Sequence, residues 1–230
     1  MFYHASHVHS ESGNVLIYIL IAIVLLAALN FAFSQGSDSG AEGTLGKGEA
    51  VIAASDIMRY AGSVQQATRQ LMRNEGCSEN DISFNFNSAS YAHSAPQECR
   101  VFDFKGGGLS YEAPRNKWVT SSQEWYFPDN VCIENVGTSS SCSSGNQDLV
   151  VMLPKLDSQI CKQINKKLDI NTGSNPPDVN WAGNLTNYYT GDFNSGNQIG
   201  GAMAGRRSGC FNNSGSGASG NHYYHVLMAR

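Results

Sequence analysis

Residues 15–33, VLIYILIAIVLLAALNFAF, contain no charged side chain and one strongly polar one, Asn30. As a helix, a run of that length rises roughly 28 Å, close to the ~30 Å hydrocarbon core of a bilayer. Three fates are open to such a run: a buried helix of a soluble core, a secretory signal that is removed, or an anchor that stays. A core helix of a soluble protein shows a polar face, and positions 15–29 show none. A secretory signal starts with basic residues and has an apolar core of ~7–15 residues. The preceding segment, MFYHASHVHSES, has neither Lys nor Arg, and the apolar run is longer. A retained apolar helix is the expectation that explains most. Flanking charge does not orient it, because nothing basic precedes it and the nearest lysine after it is Lys47.

Cysteine usage supplies the orientation instead. Cys77, Cys99, Cys132, Cys142, Cys161 and Cys210 all lie after the apolar run, and none forms a C-x-x-C pair. An even number spread through Ser-, Asn- and Gly-rich sequence reads as a disulfide framework made in an oxidising compartment. The expected pairing is sequential, 77–99, 132–142 and 161–210. Charged residues make up 15% of the chain and the net charge is -4. The sharpest basic clusters, Lys166-Lys167 and Arg206-Arg207, are too short to track a phosphate backbone, so no nucleic-acid partner is expected.

The N-terminal order is a short polar leader, a glycine, an apolar helix and then an amphipathic stalk. This order resembles the bacterial type IV pilins and the pseudopilins of type II secretion. The resemblance implies cleavage by a prepilin peptidase between Gly13 and Asn14, with the apolar helix retained. It implies anchorage in the inner membrane with the head in the periplasm, and later packing of that helix in the core of an extracellular or periplasmic filament. Two features depart from the family pattern. The family's glutamate at the fifth mature position is replaced by Tyr18, which points to a minor or atypical subunit, and the leader carries His4, His7, His9 and Glu11 in place of basic residues.

The expected organisation is a leader (1–13), a transmembrane or filament-core helix (14–34), a Gly-rich break (35–48), an amphipathic stalk helix (49–76) and a disulfide-bonded β-rich head (77–230). In the stalk, Ile57, Ala61, Val64, Thr68 and Leu71 recur at helical spacing, while Arg59, Gln66, Arg69 and Arg73 lie off the stripe. Gly76 suits the residue just past the helix. In the head, DISFNFN (81–87) alternates like a half-buried strand, and CRVFDF (99–104) leads into a glycine turn read as a hairpin. Residues 148–153 read as a strand running into a second helix at Pro154, striped by Leu156, Ile160, Ile164 and Leu168. Residues 171–221 read as a long loop excursion, and 222–228 as a central strand buried on both faces. The fold class expected is α+β and pilin-like: a long N-terminal helix, membrane-spanning and then amphipathic, packed on an antiparallel sheet.

No residue pattern points to catalysis. G-x-S-x-G, H-E-x-x-H and phosphate-loop patterns are missing from the sequence. His222 and His225 would sit on opposite faces of a strand. The run DFNSG places Asp192, Asn194 and Gly196 in a pattern that partly matches an oxygen-rich Ca²⁺ loop, without the acidic residue that closes one. The tract Asn187-Tyr188-Tyr189 is a candidate exposed binding surface. No cofactor is expected. The function expected is a non-enzymatic subunit of a type IV pilus-like or pseudopilus filament, with other pilin subunits, the lipid bilayer and the prepilin peptidase as partners. The alternative is a bitopic membrane-anchored ectodomain that binds a ligand or surface without polymerising.

Overall fold

The computed structural model describes residues 17–26, 45–137, 142, 145–170, 173 and 175–230. The chain divides into two units, residues 1–46 and 47–230. In the first, residues 17–26 form a helix, α1. The expected cleavage residues Gly13 and Asn14, the rest of the 14–34 helix and the Gly-rich stretch 35–44 lie outside the described residues.

The second unit begins with α2 (Lys47–Asn74), a helix of 28 residues. Its buried side includes every member of the predicted stripe together with Ala50, Ala53, Ala54, Tyr60 and Ala67. Arg59, Gln66, Arg69 and Arg73 are exposed. Small residues along the buried side let another backbone approach closely, and α2 lies against α3 (Ser158–Lys167) and β6 (Gly220–Met228). The helix ends where Gly76 adopts φ +69°. That turn lets both Glu75 N–H (3.1 Å) and Cys77 N–H (3.3 Å) bond back to the Leu71 carbonyl. Cys77 then pairs with Cys99, tying the end of α2 to the head.

A four-stranded sheet in the order β2-β6-β5-β3 is built from β2 (Leu149–Leu153), β3 (Asp178–Val179), β5 (Ser208–Asn213) and β6. β6 is antiparallel to both β2 and β5, and β3 runs parallel to β5. A second sheet pairs β1 (Val131–Ile133) with β4 (Asn197–Ile199), also in parallel. Tyr224 and Val226 of β6 join Trp181, Phe211, Met152 and Ile133 in one buried cluster. Alternation turns Tyr223, His225 and Leu227 to the opposite face, where Gln65 of α2 donates to the Val226 carbonyl (2.6 Å).

The expected fold class is therefore corrected on two counts. Among the described residues no helix is long and apolar enough to cross a membrane: ten described residues lie in α1, and α2 carries a charged outer face. The four-stranded sheet is mixed and the two-stranded one parallel, so neither is purely antiparallel. The connections from β3 to β5 and from β1 to β4 are long and return each strand in the direction of its partner, which a hairpin cannot do.

Local expectations are corrected as well. Residues 81–87 and 99–104 pair as strands at one isolated bridge, between Ser83 and Arg100, and form no hairpin ladder. The glycines at 106–108 form a compact turn and not a strand hairpin: Gly106 and Gly108 N–H both bond to the Asp103 carbonyl, at 3.0 and 2.8 Å. The second helix starts after Pro154. Asp157 caps it, accepting from Gln159 N–H (2.8 Å) and Ile160 N–H (3.3 Å). The supposed loop excursion 171–221 holds β3, β4 and β5 and buries Trp181, Tyr189 and Phe211.

Three disulfides join Cys77–Cys99, Cys132–Cys142 and Cys161–Cys210. The last is reinforced by Asn165, whose Nδ2 donates to the Cys210 carbonyl (2.7 Å) and whose Oδ1 accepts from Cys210 N–H (2.9 Å). A side chain of α3 thus takes the place of a neighbouring strand at this point of β5.

Leu71, fully buried, and Ile52, 62% exposed on the same helix, separate packing from propensity. Leu71→Ala is expected to cost ~2–5 kcal/mol and Ile52→Ala at most ~0.5 kcal/mol in urea unfolding with disulfides intact. Equal costs would contradict this packing of α2.

Candidate functional site: an exposed apolar helix

Every side chain of residues 17–26 is exposed, and nine of the ten are large and apolar or aromatic: Ile17, Tyr18, Ile19, Leu20, Ile21, Ile23, Val24, Leu25 and Leu26. The tenth is Ala22. Leu and Ile favour or tolerate helix, and at 3.6 residues per turn this sequence covers the whole circumference with hydrocarbon. Burying one such side chain is worth about 1.5–3 kcal/mol, so α1 strongly favours any surroundings that exclude water. Tyr18 is 65% exposed and brings the one polar atom among the side chains of α1, a hydroxyl.

The remaining residues singled out in the sequence do not converge. Asn194 donates its amide to Asp129 Oδ2 (2.5 Å), and its N–H bonds the Asp129 carbonyl (3.0 Å). Gly196 lies so close to Asn130 that a Cβ there would stand 2.0 Å from the Asn130 carbonyl oxygen. Asp192 is exposed. Asn194 and Gly196 thus fasten their loop to residues 129–130. Among the described residues no group of three or more His, Cys, Asp or Glu could hold a metal. Tyr188 and Tyr189 are not an exposed surface. Tyr189 is fully buried and its hydroxyl donates to the Glu79 carbonyl, while Tyr188 packs edge-on against Tyr91 and Tyr126.

Buried titratable groups serve the fold. His222 lies among Trp181 and Phe211, with Nε2 donating to the Ala218 carbonyl (2.8 Å). Burial, with Lys155 adding to it, pushes its pKa down to about 4. His225 faces the other way, and burial together with Arg69 and Arg207 pushes it to about 4 as well. Asp148 was not foreseen from the sequence, where nothing distinguishes it from a surface acid. It accepts from Ile133 N–H (2.8 Å) and Arg230 N–H (3.1 Å), joining β1 to the end of the chain. Burial raises its pKa, and burial likewise raises that of Asp129.

No family model matches the chain, and neither a curated protein nor a solved structure is detectably similar to it. The resemblance to pilins therefore rests on the N-terminal residues alone.

The two histidines make a signed prediction. Their folded pKa lies below the ordinary 6.5, so between about 6.5 and about 4 the unfolded chain binds more protons and stability falls as pH falls. Asp129 and Asp148, with raised pKa values, act in the opposite sense above 3.8. Urea unfolding at about pH 7.5 and about pH 4.5 should show a loss of stability at the lower pH. That loss should shrink in the double variant His222→Phe/His225→Gln, and a double variant as acid-sensitive as the parent would refute the assignment.

Proposed function

We propose that the protein is a non-enzymatic structural subunit of a pilus-like or pseudopilus filament, with α1 as its assembly element. The observation that carries the reading is the helix of residues 17–26, exposed on all sides and apolar all round. Such a helix is stable where lipid or neighbouring apolar helices surround it. In this reading the apolar run is held in the inner membrane before assembly, and contacts between copies replace lipid afterwards. The head stands in an oxidising compartment, periplasmic or extracellular, and the three disulfides accord with that placement. Tyr18 in place of a carboxylate removes a buried charge that would need a partner in the filament axis, which suits a minor or atypical position.

The residues of the head support a passive role. Several of its polar groups are spent on holding strands and turns: Asn165 on β5, Asp148 on β1 and Asp157 on α3. Leader removal between Gly13 and Asn14 belongs to the same proposal.

The test changes only the apolar helix. Ile19→Asp/Ile23→Asp places two carboxylates on one face of α1. Co-sedimentation of the variant with filaments, or its self-association in detergent-free buffer, should drop about tenfold or more, while near-UV circular dichroism of the head stays unchanged. Mass spectrometry of material from the cell envelope should give a chain that starts at Asn14. Undiminished association of the double variant would refute the proposal.

A further inference from the structure

A cleft of about 560 Å³ opens on the head between residues 85–89, 100–103 and 110–111. Its volume falls in the ~300–1,000 Å³ span of small-ligand sites. Three half-buried rings belong to its lining: Phe86, Phe102 and Tyr111. Phe86 and Tyr111 stack with centroids 3.7 Å apart and planes 2° from parallel, and Phe102 meets both edge-on at 89°. Asn85, Asn87, Arg100, Asp103 and Ser110 supply the polar part of the lining.

Several of those polar groups retain hydrogen-bonding capacity. Arg100 uses Nε and Nη2 on the Ala95 carbonyl, which leaves Nη1. Asp103 accepts from Lys105 N–H at one oxygen and from Gln97 Nε2 at the other, each at 3.0 Å, and each oxygen keeps a further lone pair. Asn85 Oδ1 accepts from Asn87 N–H (2.9 Å), which leaves the Asn85 amide donor. The Asn87 amide and the Ser110 hydroxyl form no hydrogen bond among the described residues.

The lining is also rigid. Asn87 is held at φ +81° by its own N–H bond to Asn85 Oδ1. Arg100 directly succeeds the disulfide-bonded Cys99, and Gly107 N–H bonds the Arg100 carbonyl (2.9 Å). A Cβ at Gly106 would stand 2.4 Å from the same carbonyl oxygen, so the turn beside the cleft admits no larger residue there.

The chemistry narrows the ligand. Hydrogen bonds from Lys105 and Gln97 hold the Asp103 carboxyl below its ordinary range, so it stays ionised beside Arg100. One positive and one negative group favour a neutral ligand over an anion or a cation. The polar lining disfavours a purely apolar ligand. Phe86 and Tyr111 already fill the space between them, so no flat base can slide between the rings. A puckered ring can still lay its C–H face against an aromatic face or edge while its hydroxyls, each both donor and acceptor, reach amide, guanidinium and carboxylate.

We propose that this cleft is a binding site for a neutral pyranose sugar. The proposal is independent of the assembly role of α1, since no residue of α1 lines the cleft.

The full-length protein is titrated with the methyl glycosides of glucose, galactose, mannose and N-acetylglucosamine to about 20 mM, high enough to detect a Kd of about 1 mM. Saturation-transfer NMR reads the sugar ring protons. Methyl phosphate serves as the anionic comparison. At least one glycoside should receive saturation on its C–H protons, and methyl phosphate none. Phe86→Leu should weaken binding about tenfold or more. Asn87→Gly, which keeps the left-handed backbone and removes only the amide, should weaken it with the head still folded by circular dichroism. Absence of transfer to all four glycosides would overturn the proposal, as would binding unchanged in Asn87→Gly and Phe86→Leu, or methyl phosphate bound in preference.

Discussion

Burial of the alanine-rich side of α2 against α3 and β6 is the contact on which the rest of the head depends. The stripe from Ala50 to Leu71 is buried along its length. Gly76 stops the helix, and the Cys77–Cys99 disulfide fixes the direction in which the chain leaves it. With α2 against one face of β6 and the aromatic-aliphatic cluster against the other, the strand is covered on both sides. That covering accounts for the low pKa of both histidines on β6 although they face opposite ways. Water is kept from each of them by a different layer.

Polar side chains finish what the short strands leave undone. β3 has two residues and β1 three, too few to satisfy the backbone of their neighbours. Asn165 bonds both backbone groups of Cys210, and Asp148 receives the N–H groups of Ile133 and Arg230. The Cys161–Cys210 disulfide doubles the Asn165 contact. Removing either amide or carboxylate would strand buried N–H groups, at about 1–3 kcal/mol each. These side chains are spent on architecture, while the aromatic cleft at Phe86, Phe102 and Tyr111 keeps donors and acceptors in reserve. That contrast separates the two proposals physically: association through α1 uses hydrocarbon alone, and ligand recognition on the head uses polar groups around a ring.

Features with a local cause were legible in the sequence. The helical period from Ile57 to Leu71 reports one buried face because neighbours along a helix are set by spacing alone. Gly76 marks the helix end for a similar reason. Strand partners were less legible. Ile82 and Phe84 are buried, as their alternation suggests, yet their segment pairs with its neighbour as a strand at a single bridge, Ser83 to Arg100. Alternation identifies a covered face, and the cover here is a set of aromatic rings, including Phe127 stacked on Phe84. Residues 171–221 looked like loop because Asn, Gly and Ser dominate them, and Trp181 and Phe211 were outvoted by composition. Of the candidate sites, the apolar run was plain. The aromatic cleft was not, because its residues come from separate segments brought together by the Ser83–Arg100 bridge, the Cys77–Cys99 disulfide and the Asp103–Gly108 turn.

By itself the sequence determined the apolar character of the N-terminal run, the buried stripe of α2, the burial of most of residues 222–228 and a disulfide framework for six cysteines. Each comes from residue type or spacing, which act over a few positions. Only the tertiary structure decided the parallel pairing of β3 with β5 and of β1 with β4, the roles of Asn165 and Asp148, and the meeting of Phe86 with Tyr111. Those depend on which distant segments share a boundary from which water is excluded, and that boundary exists only once the whole head has packed.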